Sequence, residues 1–167
     1  MTIVVIFFAA IVMFVAPLMT MADKTDDTVN LSVQSATTEF TNKIRTVGKL
    51  TQEDYDNFVL TLGATGNAYD VEITLQILDE NPKKKSSEGT TVIGDNIYYT
   101  MYTSQVMDQL GASKTISLKE GDNVTVKVKN KNNTIAVQLR NWAYKVTGND
   151  SSTITAEASG IVTKSAN

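Results

Sequence analysis

The chain has 167 residues, 18 acidic against 15 basic side chains, a net charge of −3 and neither Cys nor His. The missing residue types exclude disulfides, thiol chemistry, haem ligation, the usual zinc ligands and the commonest general base. An acidic pI of about 4.9 with few aromatics offers neither the basic footprint nor the stacking platform of nucleic-acid binding, so no nucleic acid is expected as a partner.

The first element, residues 1–22, carries no charged side chain and is dominated by Ile, Val, Phe, Met and Ala. Its length matches the roughly 20 apolar residues that cross a bilayer and exceeds the apolar part of a cleavable signal peptide. No Lys or Arg stands before it, so Met1 is expected to be a processed end. Pro17 should kink or locally melt a helix there. Beyond Ala22 the pattern turns amphipathic: Val29, Val33, Ala36, Phe40, Ile44 and Val47 recur at helical spacing on one face. One helix over residues 1–47 would span about 70 Å, with Gly48 as its stop. Residues 23–48 thus form an amphipathic stalk whose Val29, Val33, Phe40, Ile44 and Val47 should pack on a head at 49–167.

In the head, Gly48-Lys49-Leu50-Thr51 reads as a tight helix–helix connection, and Thr51 as the cap of a helix over about 51–62. Tyr69–Leu78 alternates strictly and is the clearest strand. Residues 79–96, with Lys83-Lys84-Lys85, read as a loop. Tyr99, Tyr102, Val106, Met107 and Leu110 suggest a helix within 98–110, stopped by Gly111. Residues 115–118 and 123–129 read as two strands of one hairpin. Asn133 to Val146 reads as a helix anchored by Trp142, and 152–163 as a strand, bent or bulged at Gly160, with Ile154, Ala156, Ala158 and Ile161 inward. The expected fold class is α+β: a long N-terminal helix packed on a small antiparallel sheet with short helices.

No phosphate-binding loop, nucleophile elbow or zinc motif occurs. Asp23, Asp26 and Asp27 enclose Lys24 and lack a cation loop's spacing. Neither enzyme activity nor a cofactor or metal is expected, and the Asn-x-Ser/Thr sequences at Asn30, Asn123, Asn132 and Asn149 read as chance.

The opening Met1-Thr2-Ile3-Val4-Val5-Ile6 resembles the start of a mature type IV pilin, and departs from it at Val5, where most of that superfamily carry glutamate. The segment from Thr37-Thr38-Glu39-Phe40 through Gly48-Lys49-Leu50-Thr51 is similar to TadE-like pseudopilins of Gram-positive bacteria, and Tad/Flp-like pilins vary more in the opening region than most of the superfamily. The resemblance implies a homo-oligomeric helical filament at the cell surface, anchored in the membrane before assembly and built by pilus assembly machinery outside this chain. It implies a filament core of Met1, Thr2, Ile3, Val4, Ile6, Phe7, Phe8, Ile11, Val12, Phe14, Val15 and Pro17. The alternative is a monomeric membrane-anchored accessory protein of a secretion or conjugation apparatus.

Overall fold

The computed structural model describes residues 2–78, 98–132 and 155–166. One helix, α1 (Thr2–Val47), runs uninterrupted through Pro17, where a kink or local melting is the expectation; the helix does not melt there, since a lone proline removes one backbone donor and the neighbouring bonds carry the helix across it. Gly48 ends it with φ +73°, its N–H donating to the Ile44 carbonyl at 2.8 Å. That left-handed conformation is one glycine adopts at no steric cost.

The C-terminal half of α1 lies on an antiparallel sheet of order β3-β2-β5-β6, built from β2 (Tyr69–Leu78), β3 (Tyr98–Met101), β5 (Asn123–Asn130) and β6 (Thr155–Ile161). Alternation decides which face is covered: Ile73, Leu75, Val124, Val126 and Val128 are buried, while Asp70, Glu72, Lys127 and Lys129 are exposed on the other face. A two-stranded sheet joins β1 (Lys49–Thr51) to β4 (Thr115–Ser117), flanked by α2 (Gln52–Gly63) and α3 (Thr103–Ser113). Val33, Phe40, Leu50, Phe58, Val106, Leu110 and Ile116 continue one core with the sheet residues. The architecture is α+β.

Five expectations from the sequence are corrected in this fold. Residues 49–51 are a strand, because the Gly48 turn lays their backbone beside Thr115–Ser117. Tyr98–Met101 extends β2 as a strand, in line with the preference of Tyr and Thr for a pleated surface. The following helix starts where Gln105 Oε1 accepts the Tyr102 N–H at 3.0 Å, then passes through Gly111 and stops at Lys114 (φ 62°). The hairpin of residues 115–118 with 123–129 does not form: the Leu118 N–H donates to the Gly48 carbonyl at 2.7 Å, tying β4 to the stalk end. No bulge occurs at Gly160, which pairs with Val124 in an unbroken register; Ile161 therefore points outward at 56% exposure, and Val162 is buried instead. The expected loop at 79–96, the helix from Asn133 with Trp142, and Ile154 lie outside the described residues.

Candidate functional site

Helix α1 presents two surfaces of opposite character in one rod. In its first half, Thr2, Ile3, Val4, Ile6, Phe7, Val12, Phe14 and Pro17 are exposed and Val15 half-buried; exposure reaches 83% at Ile3 and 77% at Met13. Phe8 and Ile11 fall in the same stretch of helix, and Met1 lies outside the described residues. The stretch is long and apolar enough to cross a membrane, with none of its apolar window buried in the fold. It is thus a candidate membrane anchor or signal sequence. Such a surface is stable in lipid or against other apolar helices, and water is the environment it cannot tolerate.

In the second half the buried face follows Val33, Thr37, Phe40, Thr41, Ile44 and Gly48, with Val29 half-buried against the core. Val47 is corrected: it is 39% exposed. The i+4 step from Ile44 lands on Gly48, one position beyond it, and the chain reverses there. Sequence reasoning missed Thr37 and Thr41 because it followed apolar residues alone. Their spacing from Val33 is the signal. Each hydroxyl donates back to the carbonyl four residues earlier, at 2.7 and 2.8 Å, which satisfies the buried oxygen.

Two side-chain contacts lock this half to α2. Phe40 and Phe58 stack with centroids 4.3 Å apart and planes within 1°. Lys43 pairs with Asp54 at 2.5 Å, and Asp54 also accepts the Thr51 hydroxyl at 2.6 Å and takes part in capping α2 through its own N–H to Thr51. Burial pushes the Asp54 carboxyl up, but the bonds from Lys43 and Thr51 and the Lys43 charge outweigh it and hold the pKa below its ordinary value. The Asp54 hydrogen bond and charge raise that of Lys43.

On the sheet side, Arg45 donates from Nε to the Ile161 carbonyl at 2.9 Å and from Nη1 to Asn42 Oδ1 at 3.0 Å. Among the described residues no group of acidic side chains is arranged to hold a metal ion. Compared with protein-family models, with curated proteins and with solved structures, the chain gives no match.

Proposed function

We propose that the chain is a pilin-like structural subunit of an extracellular filament, with residues 1–22 serving as membrane anchor before assembly and as filament core afterwards. The observation that carries this reading is the continuity of α1: its apolar half stands wholly outside the head, and its second half is part of the head's core. A rigid join of that kind fixes a head at a set distance and orientation from a core of packed helices, which a structural polymer requires and a tethered enzyme does not. The resemblance of residues 1–6 to type IV pilins supports the same reading. Transfer of the apolar surface from lipid to neighbouring helices needs no polar chemistry, because van der Waals packing suffices between such helices.

The absence of native cysteines makes the test direct. A single Cys placed at Val12 should give a disulfide-linked dimer in surface material sheared from cells, whereas a Cys at Glu72 on the exposed sheet face should not. Cross-linking at neither position, with the chain confined to the membrane fraction, would favour the monomeric accessory protein of a secretion or conjugation apparatus.

A further inference from the structure

Residues 162–166 cross the C-terminal turn of α1 and fasten it to the head from outside. The Thr163 N–H donates to the Arg45 carbonyl at 3.0 Å, the Ala166 N–H to the Leu118 carbonyl at 3.1 Å, and the Val162 N–H to the Asp122 carbonyl at 2.7 Å. In return the Ser165 hydroxyl accepts the Glu120 N–H at 3.0 Å. A helix leaves its last carbonyls without partners of its own; here that of Arg45 is satisfied by a residue 118 positions further along the chain.

Gly48 is the point where this crossing is closest. A Cβ there would collide with the Lys164 carbonyl oxygen, and would stand 2.7 Å from the Ala166 nitrogen. The glycine therefore does two things at once: it takes the left-handed turn that ends α1, and it leaves the slot through which the later segment passes. Leu118 closes the ring, since its N–H donates to Gly48 and its carbonyl accepts from Ala166.

We infer that residues 162–166 are a latch, and that release of the stalk from the head is governed at this crossing in addition to the apolar face of α1. The latch stands whether or not the chain polymerises. Its consequence for a filament, that load on α1 enters the head through this joint, rests on the reading above.

The test is hydrogen exchange by mass spectrometry on the full chain in detergent, compared with a chain ending at Val162, which loses both Thr163 bonds to Arg45 and keeps the buried Val162, and with Ser165→Ala. In the shortened chain, amides of residues 44–51 and 118–120 should exchange about tenfold faster, from loss of one or two hydrogen bonds, while those of β2 and β5 keep their rates. Ser165→Ala should give the same local pattern at smaller size. Unchanged exchange at 44–51 and 118–120 in either variant overturns the latch. So does equal acceleration in β2 and β5, which would mean that the whole head has loosened. Because the measurement is made on the detergent-solubilised subunit, its failure leaves the filament reading untouched, and failure of the filament reading leaves the latch in place.

Discussion

The guanidinium of Arg45 lies directly on Gly160: a Cβ on that glycine would stand 2.5 Å from Arg45 Cζ and from Nε. Together with Ala156 and Ala158, Gly160 makes the inward side of β6 a row of small residues beneath α1. That row admits the helix backbone and seats the arginine within reach of the Ile161 carbonyl.

Gly160→Ala should displace the flexible end of Arg45 and cost about 1 kcal/mol, the order of one hydrogen bond. In an Arg45→Ala background the same substitution should cost close to nothing, because the two share a single contact. Urea melts of the four chains of this cycle measure the coupling. Additive effects would show that Gly160 is required for another reason. Gly48→Ala should cost more than Gly160→Ala, since it meets backbone and strains a residue at φ +73°.

Phe40→Ala should destabilise the head by about 3–5 kcal/mol, the range for a buried aromatic truncated in a core. Val47→Ala should change stability by no more than about 0.5 kcal/mol, as expected for an exposed position. An unchanged melting midpoint for Phe40→Ala would mean that residues 29–47 do not pack on the head.

The Lys43–Asp54 pair gives stability a dependence on pH at both extremes. The folded pKa of Asp54 lies below its ordinary value of 3.8, so its contribution is present above 3.8 and is lost as pH falls through the folded value. That of Lys43 lies above 10.5, so its contribution is present below 10.5 and is lost as pH rises through the folded value. The Tyr55 pKa is raised by burial first, and then by the charges of Asp56 and Asp70, so it adds to the alkaline loss. Asp54 is mostly covered, but the Lys43 ammonium is largely solvated, which holds the worth of the pair to about 0.2–1 kcal/mol. The fall in melting midpoint between about pH 6 and about pH 3 should be smaller in Asp54→Asn than in the parent chain; an equal fall would remove Asp54 from the account.

Much of this arrangement is legible in the sequence where one physical signal dominates. Strict alternation places β2 at Tyr69–Leu78 with both ends right, and the apolar run followed by an apolar stripe gives α1 its length, with Gly48 as its stop. Errors arise where tertiary partners decide. Lys49–Thr51 is too short to show a period, and its strand exists because β4 lies beside it. Tyr98–Met101 carries strand-forming residues next to a helical pattern, and the edge of β2 takes them. Gly160 invites a bulge when β6 is read alone; its cause is an arginine on another element. Thr37 and Thr41 are polar by type but buried in fact, because each hydroxyl bonds to its own helix. The exposed half of α1 is legible at once, since composition alone marks it.

Val12→Asp should abolish assembly while leaving the head folded, because it sets a charge in the middle of the apolar half of α1, where burial in lipid or among helices costs about 2.5–3.5 kcal/mol at the least. The control is an unchanged urea melt of the head. Filaments formed by this variant at the parent level would place the polymer contact elsewhere.

Electron microscopy of surface material sheared from cells, with the chain located by an antibody to its head, tests the central claim most directly. The expected result is thin filaments labelled along their whole length, with the chain as their main component. Unlabelled filaments, or a chain that stays entirely in the membrane fraction as a monomer, would contradict it.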